Sequence, residues 1–190
     1  MKWLLASIKD FEKSEYDKVY ANLSPSRKRR VDRYKREEDR IRSLSCELLL
    51  KKILLDLGAE NAVLETAENG KPYLKNSSFF VSMSHSEEKA VCAVSEKAVG
   101  IDIEKIKPIS VALIDRVCTQ NEMEYVMPQT CEKAATVENR VVLERFYEVW
   151  TAKEAYFKKI GTGITDFKSV DIIALERKVI IEGDYIITIV

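Results

Sequence analysis

The sequence predicts an α+β chain made of two similar halves. Two long helical patterns, over residues 39–57 and 137–160, each meet a glycine stop and are followed by short strands. Turn signals of the hairpin type, Asn69-Gly70 and Glu182-Gly183-Asp184, punctuate the β-rich parts of both halves. Apolar residues make up 46% and charged residues 33% of the 190 positions, which suits a packed core and not a disordered chain. We place the first half at 1–98 and the second at 99–190, a duplicated grammar without a clear repeat of the residues themselves.

The elements follow in order. Residues 2–8 read as a strand, because the apolar run from Met1 stops at Lys9-Asp10, too early for a secretory h-region. Ser24-Pro25 starts a helix, with serine as N-cap and proline at the first helical position. Helical pattern continues to Leu57 with a break near 37–39, and Ile41, Leu44, Leu48 and Leu55 share the apolar face of its second part. Residues 63–66 and 72–74 flank the Asn69-Gly70 turn. Runs 79–83, 90–95 and 99–104 read as strands, 111–126 as helix, and 127–136 as a loop around Pro128. Three strands close the chain at 169–175, 178–182 and 185–190.

Charge and cysteine usage narrow the function. Lys plus Arg and Asp plus Glu are both 31, so there is no basic excess for a dedicated nucleic-acid binder. No segment has the apolar length of a membrane span. Cys46, Cys92, Cys118 and Cys131 form no C-x-x-C pair, so free thiols in a reducing cytosol are expected rather than a structural zinc. His85 is the single histidine, which excludes enzymes that need two or three histidine ligands and leaves a Ser-His-Asp triad only through His85.

Four constellations carry chemistry. In Val99-Gly100-Ile101-Asp102-Ile103-Glu104, strand alternation puts Asp102 and Glu104 on one face and the two isoleucines on the other. Two such carboxylates either face solvent on an edge strand or share a hard cation such as Mg²⁺ or Mn²⁺. In the helix through Trp150–Lys158, Lys153 falls within the apolar stripe of Val142, Phe146, Val149, Phe157 and Ile160, so it snorkels or meets an anion. Glu154 and Lys158 are one turn apart, which fits a solvated i,i+4 pair as well as a phosphate and metal site. Ser84-His85-Ser86 ends a strand and can donate to phosphate oxygens, or be structural. The run from Arg27 to Arg36, continued by Arg40, Arg42 and Ser43, is a solvated basic face or a binder of phosphate, and Lys71 adds a cation.

V-G-I-D-I-E at 99–104 followed by W-T-A-K-E-A-Y-F-K at 150–158 resembles the paired signature of 4′-phosphopantetheinyl transferases. S-H-S at 84–86, G-K-P at 70–72 and the stretch from Leu23-Ser24-Pro25 to Arg42-Ser43 resemble the remaining motifs of the larger, surfactin-synthetase-activating class. The resemblance implies that family's fold, two fused α+β halves in pseudo-twofold arrangement with one active site between them. It implies transfer of phosphopantetheine from coenzyme A to a serine of an acyl or peptidyl carrier protein, with release of adenosine 3′,5′-bisphosphate. Position by position it implies Asp102, Glu104 and Glu154 as ligands of Mg²⁺ (Mn²⁺ as the alternative), and Glu154 or a water it orients as base. Lys158 is implied to assist the departing phosphate, Lys153 and His85 to meet the diphosphate, and Lys71 and Ser84 to bind the coenzyme. Arg27, Arg30, Arg42 and Ser43 fall at the 3′-phosphate or adenosine end, whereas Trp150 reads as packing. A cytoplasmic monomer with carrier docking over residues 105–135 is expected, without nucleic acid or membrane. A diphosphate hydrolase using the same carboxylates, or a binding protein of the same fold, are the competing readings.

Overall fold

The computed structural model describes residues 1–127, 136–164 and 166–190. Strand β1 (Lys2–Ser7) is followed by helices α1 (Lys13–Ala21), α2 (Pro25–Asp32) and α3 (Glu37–Asp56). A hairpin of β2 (Val63–Thr66) and β3 (Pro72–Lys75) leads to β4 (Phe80–Ser86) and β5 (Lys89–Ser95). The chain continues through β6 (Ile101–Lys105), β7 (Ile109–Ser110), α4 (Val111–Val117), α5 (Gln120–Val126) and β8 (Thr136–Val137). It ends with α6 (Arg140–Ile160), β9 (Lys178–Glu182) and β10 (Tyr185–Ile189).

Two three-stranded antiparallel sheets organise this α+β fold, in the orders β1-β5-β4 and β6-β10-β9. In each, the strand that precedes the long helix lies at one edge and the last strand lies in the middle. The α3 helix starts on Glu37, Glu38 and Asp39, which favour its positive end, and gives Leu48, Leu49, Ile53 and Leu54 to the core of the first sheet. The α6 helix is capped by Asn139 and gives Val142, Phe146 and Val149 to a second core. Its end is set by Gly161, whose φ of 79° is the left-handed conformation of a helix stop. A third apolar cluster joins Val91 and Ala93 of the first sheet to Ile101, Ile103 and Ile187 of the second. Each sheet thus buries one face on its helix and the other against its neighbour, which fixes β4 beside β6.

The sequence reading needs four corrections. Lys13–Ala21 is a helix that the pattern did not signal, since Val19 is its one buried residue. The break before α3 comes at 33–36, and Leu55 is 63% exposed rather than part of the apolar face. Residues 111–126 are two helices separated at Thr119, whose side chain caps the second. Residues 169–175 form no strand: Asp166 and Asp171 cap two short 3₁₀ turns, Phe167–Ser169 and Ile172–Ala174. Cys46, Cys92 and Cys118 are buried free thiols, whereas Cys131 and the expected loop around Pro128 lie outside the described residues. No helix among the described residues is long and apolar enough to cross a membrane.

Candidate active site

The two motif-bearing elements, β6 and α6, meet at Gly100. A Cβ there would lie 1.7 Å from the Ala155 carbonyl oxygen, so only glycine lets the strand enter this close to the helix. The contact places Asp102 and Glu104 opposite Glu154 and Lys158. Ile101 and Ile103 are fully buried on the other face, as the alternation requires.

Serines of β4 fix the position of β6. Ser82, Ser84 and Ser86 alternate along the strand and reach across to the other sheet, where no backbone ladder exists. The Ser82 Oγ accepts from the Ile101 N–H at 3.0 Å, and the Ser86 Oγ accepts from the Lys105 N–H at 3.1 Å. The Ser84 Oγ donates to Asp102 Oδ1 at 2.7 Å and the Ser86 Oγ donates to Glu104 Oε2 at 2.8 Å. Ser84 and Ser86 therefore hold the carboxylates, an arrangement that the S-x-S-x-S alternation in the sequence could have signalled.

The Lys158 Nζ donates to Asp102 Oδ1 at 2.6 Å and to Ser84 Oγ at 2.8 Å. Asp102 is only 3% exposed, and its Oδ2 is buried with no hydrogen-bond partner among the described residues. Burial first, and the Asp102 charge second, push the Glu104 and Glu154 carboxyls up to about 7. Three acidic groups thus crowd a largely buried place, with the Lys158 ammonium in direct contact with one of them. Among the described residues no three acidic, cysteine or histidine side chains already surround a point where a metal ion could sit. The donor chemistry nevertheless fits a hard divalent cation: the groups are carboxylate oxygens, one is an orphan, and two are raised to about 7 by burial first and by charge crowding second.

A cleft of about 450 Å³ opens beside these groups. Glu154, Lys158, Ser84 and His85 line it from one side, and Arg27, Arg30, Ser43 and Lys71 from the others. Burial, with Lys158 and Arg42 nearby, lowers the His85 pKa and favours the neutral ring. The Lys71 Nζ donates to the Lys159 carbonyl at 2.6 Å and so spans from the β2–β3 turn to the end of α6. Arg30 Nη1 donates to the Gly70 carbonyl at 3.2 Å.

Two expected coenzyme contacts are not in this cleft. Arg42 is turned to its own surroundings, with Nε on the Glu87 carbonyl and Nη1 on Asp39, both at 2.7 Å. Lys153 is fully buried; its ammonium donates to Glu122 Oε2 at 2.6 Å, to the Val117 carbonyl at 2.9 Å and to the Phe167 carbonyl at 2.7 Å. All three protons are used, so the anion that Lys153 required is a protein carboxylate and not a diphosphate. Trp150 stacks on Phe167 with centroids 5.0 Å apart, which is the packing role expected of it.

Residues 98–185 match the family model described as the 4′-phosphopantetheinyl transferase superfamily. The chain is 34% identical to the 4′-phosphopantetheinyl transferase gsp of Aneurinibacillus migulanus over 82% of its own length and 63% of that protein. It is 34% identical to psf-1 of Bacillus pumilus, covering 71% of the chain and 56% of that protein. The Sfp protein of Bacillus subtilis is 26% identical over 80% of the chain and 66% of its own length. The chain therefore spans about three fifths of the length of the curated relatives it matches.

Proposed function

We propose that the chain is a 4′-phosphopantetheinyl transferase like the gsp and Sfp proteins it resembles, and that it moves 4′-phosphopantetheine from coenzyme A to a serine hydroxyl of an apo carrier protein. Adenosine 3′,5′-bisphosphate is the other product. The observation that carries the reading is the acidic group of buried Asp102 and half-buried Glu104 and Glu154, of which Glu154 lines a cleft that Arg27, Arg30, Lys71 and Lys158 also line. We further propose that 1–98 and 99–190 are duplicated units related by a pseudo-twofold, and that the protein works as a cytoplasmic monomer.

The roles follow from the chemistry. A serine hydroxyl needs a base at neutral pH, and a Glu154 carboxyl near 7 is matched to that task. Lys158 supplies positive charge where the diphosphate breaks, and Asp102 and Ser84 fix its ammonium. Asp102, Glu104 and Glu154 would hold Mg²⁺ or Mn²⁺, which when bound neutralises charge on the diphosphate oxygens. Arg27, Arg30, Lys71 and His85, with Ser43 and Ser84, face the phosphates and the nucleotide from the cleft wall.

Intact-mass measurement of a small panel of apo carrier proteins, incubated with coenzyme A and Mg²⁺, tests this. The expected result is a gain of one phosphopantetheine on the carrier serine, lost in Asp102→Ala and Glu154→Ala. Unmodified carriers throughout, with coenzyme A cleaved in their absence, would assign the site to a hydrolase instead.

A further inference from the structure

One buried charge pair at the cleft ties Arg27 to a residue that has no part in the roles above. Arg27 on α2 and Glu47 on α3 have side chains 4% and 6% exposed, and Arg27 Nε donates to Glu47 Oε1 at 2.6 Å. Burial pushes the Glu47 carboxyl up, with Arg27 opposing that push. An apolar pair of the same volume would hold two helices together at least as well, since desolvating both charges offsets their attraction. Val31 of α2 is fully buried, in the same apolar core as Leu44 and Leu50 of α3.

The geometry of the pair is the informative part. An arginine that only ties elements together commonly meets its carboxylate with two parallel N–H bonds. Here Nε is the one guanidinium nitrogen with a partner among the described residues, and Arg27 lines the cleft while Glu47 does not. Ser43, one turn before Glu47 on α3, lines the same wall.

On the transferase reading of this cleft, we propose that Glu47 is a positioning residue for the donor substrate: it holds Arg27 by Nε so that the two terminal nitrogens face the cleft and grip a phosphate of coenzyme A. The carboxylate acts from behind the arginine and touches no substrate. It fixes a long, rotamer-rich side chain before the ligand arrives, so less ordering is needed on binding.

Calorimetric titration of coenzyme A into the folded protein in the cold tests this, with circular dichroism confirming the fold of each variant. Glu47→Gln keeps an acceptor but loses the charge, and is expected to weaken binding about tenfold. Glu47→Asp draws the guanidinium back and is expected to act in the same direction, which covers a Gln variant that fails to fold. Arg27→Ala weakens binding too, and adding Glu47→Gln to it changes nothing further. Wild-type affinity in folded Glu47→Gln, with a lowered melting temperature, would make the pair a helix tie and overturn the proposal. So would additive losses in the double variant. Failure of the wild-type protein itself to bind coenzyme A is a different result, one that removes the transferase reading and this proposal with it.

Discussion

Lys153 gives the sharpest test of how the motif on α6 is used. In Lys153→Met the length and much of the packing remain, but Glu122 loses its one charged partner. Both side chains are fully buried, and the ammonium holds three acceptors. Glu122 keeps the Thr119 N–H at 2.7 Å and the Ile172 N–H at 2.8 Å. Breaking a buried pair by removing one partner costs about 3–5 kcal/mol, because a charge stays behind in a place without water. For a chain of this length, 1 kcal/mol moves the melting temperature by about 2–4 °C, so a fall of roughly 10 °C is expected. Lys153→Met/Glu122→Gln should recover part of it, since the glutamine oxygen still serves one of the two backbone donors. Thermal denaturation followed by circular dichroism reads the loss. Titration of coenzyme A in the cold reads the site, where affinity should stay within about twofold of wild type if the ammonium has no phosphate contact. A variant that melts like wild type but binds coenzyme A tenfold more weakly would refute the assignment.

The other expectations concern the acidic cluster and its seat. Glu104 and Glu154 have pKa values raised to about 7, above the unfolded value, so their contribution to stability is complete below about pH 4.5 and is lost as pH rises through 7. Burial is the first cause of both shifts and the Asp102 charge the second, so both groups contribute to the loss, which falls mainly between pH 5 and pH 8. In EDTA the melting temperature should fall over that range, and excess Mg²⁺ should abolish most of the fall; a pH profile indifferent to Mg²⁺ would count against a cation at these carboxylates. Gly100→Ala should force β6 and α6 apart, since the Ala155 carbonyl cannot retreat without breaking its helix. Loss of most of the proposed transferase activity together with a lowered melting temperature is expected, and a stable Gly100→Ala protein as active as the wild type would show that the close approach is dispensable.

Much of the architecture was legible because it depends on local chemistry. Asn69-Gly70 sets the β2–β3 hairpin, Pro25 opens α2, and Gly161 closes α6 with a positive φ. Alternation placed Asp102 and Glu104 opposite buried isoleucines. What was misread depends on distant partners. The run 169–175 has the composition of a strand, yet Asp171 accepts from Ile173 N and from Asn121, so the chain turns instead. The α1 helix lies along the surface with a weakly apolar face and leaves little periodic signal. Arg42 carries the charge expected of a phosphate ligand, but Asp39 one turn earlier on the same helix takes it first. Ser84 and Ser86 read as donors to a ligand; Ser84 does line the cleft, and what the sequence did not signal is that both hydroxyls also donate to the carboxylates of β6.

The segment Trp150–Lys158 shows why a motif matched letter by letter still has to be divided by geometry. At ~100° per residue, Lys153 and Lys158 lie about 140° apart around the helix, whereas Glu154 and Lys158 differ by only about 40°. Trp150 and Lys153 therefore face the turns at 167–172, and their contacts are Phe167, Glu122 and main-chain carbonyls, whereas Phe157 meets Phe167 edge-on and also lines the cleft. Glu154 and Lys158 face β6 and the cleft. The first set anchors the helix in the second core, and that anchoring is what keeps the second set in register with Asp102. A loss of function at Lys153 and one at Lys158 would look alike in an activity assay. They separate on stability: Lys158 is part-exposed beside Asp102, so Lys158→Ala should remove turnover while costing far less in melting temperature than Lys153→Met.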